Sequence, residues 1–272
     1  MVAMRRAAHQ IFDNPKVFDD PIALPILGPG AEARIRSEPR LLSRFGKAVR
    51  ASMAARSRYA EDQLARSIQR GTRQYVILGA GLDTFAYRNP YSQADLRVFE
   101  VDYPATQQWK RERLAATAIA IPAGLTFAPV NFEQQALADG LREAGFDATQ
   151  PAFFSWLGVT MYLERETAMS TFRFIASCGQ GSGVTFDYIV PPEMLNWVGQ
   201  LVLRATERRV ARAGEPFRTY FAPEILRAEL SAMGFRTIED LAGADVNERY
   251  FKDRTDGLRV PGRLGRFMTA ET

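Results

Sequence analysis

The chain has 272 residues, 46% of them hydrophobic, with 35 basic against 31 acidic side chains and a net charge of +4. That length and apolar content suit one sizeable globular domain, or one domain with an appended cap, and no apolar run of about 18 residues predicts a membrane span. The basic residues are dispersed, which implies no nucleic-acid groove. The single cysteine (Cys178) and single histidine (His9) exclude an intramolecular disulfide, a Cys-cluster or multi-histidine metal site, and a Ser-His-Asp triad built away from His9.

The opening residues, "MVAMRRAAHQIFDNP", lack the apolar core and the small-residue cleavage site of a signal peptide. The expectation is a cytoplasmic protein whose partners include neither membrane nor nucleic acid. Residues 1–70 read as a helical segment, rich in Ala, Arg, Leu and Met, broken at Pro39 and closed by Gly71. Five apolar strands follow: "QYVILGA", "LRVFEVD", "LTFAPVNF", "PAFFSWLGV" and "SGVTFDYIV". Segments with helical spacing separate them, and the glycine turn after the first strand also reads as leading into a helix. Strand–helix–strand repetition predicts an α/β fold with a doubly wound, mostly parallel sheet over residues 71–272. Beyond residue 190 the rhythm changes. A double proline precedes a long helix that reads as a cap near 191–222, with Met194, Leu195, Trp197, Val198, Phe217, Tyr220 and Phe221 as its apolar wall. "YFAPEILRAELSAMGF" is another helix, and "RTIEDL" with "GRFMTA" predicts a closing antiparallel pair.

The turn after the first strand reads Gly79-Ala80-Gly81-Leu82-Asp83-Thr84. A dinucleotide fingerprint needs a third glycine where Thr84 stands. Asp83 puts negative charge where a pyrophosphate would sit. Both features disfavour NAD and FAD and suit a cofactor without phosphates. Asp102, ending the second strand, is positioned to accept hydrogen bonds from two ribose hydroxyls. An adenosine-bearing, phosphate-free cofactor is S-adenosylmethionine.

"QYVILGAGLDTFAYR" followed by "VFEVDYPATQQWKRERL" resembles the leucine carboxyl methyltransferase-like family of class I S-adenosylmethionine-dependent methyltransferases. The resemblance runs from "AAHQIFDNPKVFDDPIA" to "DYIVPP". The family includes a eukaryotic enzyme that methylates the C-terminal carboxylate of a protein phosphatase, and bacterial proteins linked to polyketide or other small-molecule O-methylation. The resemblance implies that Arg56, in "AARSR", pairs with the methionine carboxylate, as a bidentate guanidinium can. It implies that Gly79, Ala80 and Gly81 line the methionine and ribose, and that Asp102 holds the ribose with Glu100 close by. His9 falls near the place of a basic residue over the cofactor carboxylate. Two positions depart from the family. Asn131-Phe132 replaces an Asp-Leu pair beside the adenine, and Leu157-Gly158 replaces a Glu-Gly pair beside the methionine amine. Tyr162 matches a family Tyr-Leu pair.

The reading that follows is a small-molecule O-methyltransferase acting on a carboxylate or a hydroxyl, in polyketide or other secondary metabolism. Its alternatives are a protein C-terminal carboxyl methyltransferase, a nicotinamide-dependent oxidoreductase, and a non-catalytic cofactor-binding regulator. A carboxylate acceptor needs no base at neutral pH, whereas a hydroxyl benefits from one. The candidates for that base are His9, Asp187, Tyr188 and Tyr162.

Overall fold

The computed structural model describes residues 2–91, 95–131, 135–212 and 214–272. Four helices come first: α1 (Val2–Phe12), α2 (Ala31–Arg36), α3 (Pro39–Leu42) and α4 (Arg44–Gln69). Pro39 opens α3, where a missing N–H costs nothing, and Ser43 caps α4 by accepting from the Gly46 amide. Then come β1 (Gln74–Leu78), β2 (Arg97–Asp102), α5 (Pro104–Ala116), β3 (Leu125–Pro129), α6 (Leu137–Glu143), β4 (Ala152–Trp156), α7 (Arg165–Ser177) and β5 (Gly183–Ile189). The chain closes with α8 (Trp197–Arg212), α9 (Pro223–Ala232), β6 (Thr237–Leu241), α10 (Gly243–Tyr250) and β7 (Gly265–Glu271).

The seven strands form one sheet in the order β3-β2-β1-β4-β5-β7-β6. β1 to β5 pair parallel, and β7 runs antiparallel between β5 and β6. This is the class I methyltransferase sheet, with the antiparallel closing strand that the sequence predicts. Every residue of β1, β4 and β5 is buried, as strands covered on both faces must be. Side chains alternate between two cores. Val76 and Leu78 face α6, α7 and α9, while Tyr75 and Ile77 face the C-terminal half of α4. Ala51, Ala54 and Tyr59 of α4 share a third core with Val246 of α10 and Phe267 of β7, so the first helices and the last strands bury one another. No helix among the described residues is long and apolar enough to cross a membrane.

Three segments differ from the sequence reading. The glycine turn leads into a single 3-10 turn, Phe85–Arg88, and not into a helix. Asp83 and Asn89 each accept from the amide two residues on, and Pro90 follows; such local side-chain bonds and an X-Pro step oppose helix propagation. The cap helix starts only at Trp197, after a 3-10 turn at Pro192–Met194. The helix α10 is not legible in the sequence; at eight residues with only Gly243 and Val246 buried it has too short a pattern to read.

Candidate active site

A cleft of about 720 Å³ opens at the carboxyl ends of β1, β2, β3 and β4, the edge where parallel α/β sheets hold ligands. Arg56, Gly79, Ala80, Gly81, Asp102, Asn131, Leu157 and Tyr162 all line it. These residues, from Arg56 to Tyr162, thus converge from one helix and four strand ends.

The glycine turn is locked to the end of β2. The amides of Gly79 and Ala80 both donate to the Val101 carbonyl, at 2.8 and 3.0 Å. The Gly81 amide donates to Asp102 Oδ2 at 2.6 Å, and the Tyr103 amide to Oδ1 at 2.7 Å. The Asp102 carboxylate is therefore oriented before any ligand arrives, with lone pairs left over for hydroxyl donors. Gly79 has φ +68°, and a Cβ there would lie 2.5 Å from Val159 Cγ2, so the backbone approach is available only to glycine.

At the other end, Arg56 Nη1 donates to Asp187 Oδ2 at 3.0 Å, while the Gly158 amide donates to the other Asp187 oxygen. Gly158 has φ +73°, and a Cβ there would sit 2.6 Å from Arg56 Nη1. The guanidinium is thus aimed over Gly158 by one carboxylate behind it and one missing side chain beneath it. The cleft has a carboxylate at one end and a guanidinium at the other.

Several predicted residues lie elsewhere. Glu100 does not reach the cleft. It shares a face with Asp102 but sits two residues deeper in β2, fully buried, with Oε2 at 2.6 Å from Lys110 Nζ. Burial lifts its carboxyl to about 7 against the pull of Lys110. Lys110 also donates to the Asp83 carbonyl at 2.8 Å, so the pair supports the glycine turn from below. His9 is buried, with both ring nitrogens engaged. Nδ1 lies 2.8 Å from Asp13 Oδ2, and Nε2 accepts from the amides of Val17 and Phe18 at 3.1 and 3.2 Å. It shapes the "DNPKVF" turn and faces no substrate. Tyr188 points to the opposite face from Asp187 and donates to Asp240 at 3.1 Å; burial, then the Asp240 charge, push its phenol well above the ordinary value. Asp187 is committed to Arg56 and Gly158. Phe132 lies outside the described residues. The apolar side chains predicted to wall the site from the cap do not line the cleft: Leu195 and Phe221 are core residues, while Met194, Trp197 and Val198 face solvent.

Other residues of the site escaped the sequence reading. Arg6, one helical turn before His9, lines the cleft and pairs with Asp20 at 2.9 Å. Asp20, from "FDDP", is completely buried; it also accepts from Thr84 Oγ1 at 2.7 Å. Thr84 therefore stands at the third-glycine position as a tether between the glycine turn and the N-terminal segment. The shared helix face was a usable signal for Arg6, since positions three apart lie side by side. Glu215, just beyond α8, also lines the cleft. Its segment is stitched to the Tyr162 turn by the Arg218 amide donating to the Met161 carbonyl at 2.8 Å and by Thr219 Oγ1 donating to the Leu163 carbonyl at 2.6 Å. The Glu215 carboxylate has no hydrogen-bond or ion-pair partner among the described residues. Burial and then the Glu215 charge raise the Tyr162 phenol.

The leucine carboxyl methyltransferase family model matches residues 1–176, a span that holds every cleft residue named above except Asp187 and Glu215. A Bacillus subtilis protein, "Putative S-adenosyl-L-methionine-dependent methyltransferase YktD", is 33% identical over 94% of this chain and 91% of its own. Two crystal structures share the fold at 16% identity and cover all of this chain: a Thermobifida fusca protein with TM-score 0.59, covered to 94%, and a DUF574 family protein of Streptomyces avermitilis with TM-score 0.58, covered to 96%. The match in family, the sheet and the glycine turn braced on Asp102 agree: this chain belongs to the leucine carboxyl methyltransferase family.

Proposed function

We propose that this S-adenosyl-L-methionine-dependent methyltransferase methylates an oxygen of a small molecule, and that a carboxylate is the acceptor. When bound, the cofactor supplies a sulfonium methyl group, an electrophile that needs only an aligned nucleophile. Asp102 is suited to the ribose hydroxyls and Arg56 to the methionine carboxylate, a charge-assisted pair of fixed geometry. Arg6 adds a second cation to the lining of the cleft, with Asp83 at 3.8 Å. The glycine turn with no helix behind it argues against a dinucleotide, whose pyrophosphate needs a helix N-terminus.

The observation that favours a carboxylate acceptor is the commitment of the proton acceptors. His9, Asp187 and Tyr188 are each engaged with protein partners, and the Tyr162 phenol is raised. A carboxylate is already ionised at neutral pH and asks for no base. One observation favours the other reading, a hydroxyl acceptor: Glu215 faces the cleft without a partner and is able to take a proton. The test is transfer of a labelled methyl group to panels of carboxylic acids and of phenols or alcohols, with wild type and Glu215→Gln. Base-labile ester products with near-unchanged kcat in Glu215→Gln support the carboxylate. Ether products whose formation collapses in that variant overturn it in favour of the hydroxyl.

A further inference from the structure

The helix α8 is held to the rest of the molecule by little. Of its 16 residues only Leu203 is buried. Its solvent face divides along its length. The first two turns expose Trp197, Val198, Leu201 and Val202, Trp197 to 73%. The last turns expose Arg204, Arg208, Arg209 and Arg212 on the same side of the helix. None of these arginines has a carboxylate partner among the described residues, while the acid of the helix, Glu207, is taken by the Tyr220 hydroxyl. Arg209 stacks over the exposed ring of Phe45 at 5.0 Å, which joins the start of α4 to the same surface. Exposed Met194, just before α8, shares a broad open cavity with Arg44, Arg259 and Arg263. These three are also exposed and unpaired among the described residues. Against them stand Glu193 beside Met194 and Asp245, whose Oδ2 accepts from the Ala242 amide at 2.8 Å.

We propose that this face docks on an anionic lipid surface, the apolar turns of α8 entering the acyl boundary and the arginines meeting headgroup phosphates. An interfacial helix needs an apolar face carrying a Trp or Leu anchor together with basic residues that match anionic headgroups, and both occur here on one exposed surface. A second copy of the chain suits the face poorly. Two α8 helices side by side and antiparallel lay the arginines of one on the apolar turns of the other; parallel, they set arginine against arginine. The expectation of no membrane partner rests on the absence of a long apolar run in the sequence; the surface gathers its basic residues from three separate segments. The proposal is independent of the cofactor and of the acceptor.

The experiment is co-sedimentation of the full chain with vesicles of phosphatidylcholine alone and of phosphatidylcholine with roughly a third phosphatidylglycerol. Binding to the anionic vesicles only, weakened by added salt, is expected. Arg208→Ala with Arg212→Ala weakens it roughly thirty-fold, and Trp197→Ala with Leu201→Ala roughly tenfold or more. A blue shift of tryptophan emission on binding is lost in Trp197→Phe while sedimentation persists. Absence of binding, equal binding to both vesicle types, or binding unchanged in both double variants overturns the proposal. So does a concentration-dependent dimer abolished by Trp197→Ala with Leu201→Ala in a chain that ignores vesicles, which assigns the face to a second copy.

Discussion

The floor of the cleft and the cap beside it are built on opposite terms. On the floor each functional group has a fixed position before a ligand is present. Asp102 is held by two amides, Arg56 by Asp187, the glycine turn by Val101, and Asp20 ties Arg6 to Thr84. In the cap, α8 buries one side chain and leaves Trp197, Val198, Leu201 and Val202 exposed to solvent. Binding geometry common to a whole family demands preorganisation, because a misplaced group loses most of its effect. A region that meets differing acceptors or surfaces gains from loose attachment, and such segments come from the least stable parts of a fold.

The sharpest way to break this contrast is to damage one buried tie and one cap residue and compare the losses. Asp20→Ala removes the nearer carboxylate of buried Arg6, leaving only Asp83 at 3.8 Å, and also one carboxylate of Arg88, and the expected loss is about 3–5 kcal/mol of stability. Leu201→Ser in α8 is expected within about 0.5 kcal/mol of wild type. Chemical denaturation of both variants decides it; equal losses would mean that the cap is as firmly built as the floor.

The two carboxylates of β2 sharpen it further. Asp102→Ala is expected to weaken S-adenosylhomocysteine binding by about 1.5–3 kcal/mol with little change in melting temperature. Glu100→Ala removes the partner of buried Lys110, so it lowers the melting temperature and leaves affinity closer to wild type. Calorimetric titration and thermal unfolding of the pair check the assignment, and the reverse order in affinity would contradict it. Gly158→Ala comes next, at about 1–3 kcal/mol of backbone strain, with the new Cβ pressing on Arg56 Nη1. Its affinity for S-adenosylhomocysteine is expected to fall while adenosine binds as before.

The smallest expected effect is on pH. Burial alone would raise the Asp13 carboxyl, but the Arg50 and His9 hydrogen bonds outweigh it and hold it below the usual range. A depressed carboxyl contributes stability above its unfolded value and loses it as pH falls through the folded one. Asp13→Asn should therefore flatten the acid limb of the stability curve, which denaturant midpoints from neutral to acid pH would report.

The legible parts of the molecule were those that repeat. β1 to β5 were visible as apolar runs, and the Gly79–Thr84 turn with Asp102 beyond it named the cleft. Arg56 was found through the family resemblance, since composition makes it one arginine among many. What was not legible depends on tertiary partners. Glu100 and Asp102 have the same strand face, and only Lys110 beneath one of them separates structural from ligand-facing. His9 looked available because its three partners, Asp13 and the amides of Val17 and Phe18, come from a turn whose path has no period. Glu215 enters the cleft by way of segment 214–219 returning along Tyr162, a placement set by hydrogen bonds to Met161 and Leu163 and not by local pattern.

The preorganised floor rests most on Arg56, a helix residue held over Gly158 by a buried carboxylate on the fifth strand. Titrating wild type and Arg56→Ala with S-adenosylhomocysteine and with adenosine isolates its role, because adenosine has no carboxylate to clamp. Affinity for S-adenosylhomocysteine should drop by about 1.5–3 kcal/mol while that for adenosine hardly changes, and Arg56→Lys should recover only part of the loss, since the two-pronged geometry is gone. Loss of both ligands by the same factor would contradict the clamp and make Arg56 a support for Asp187 and Gly158 alone.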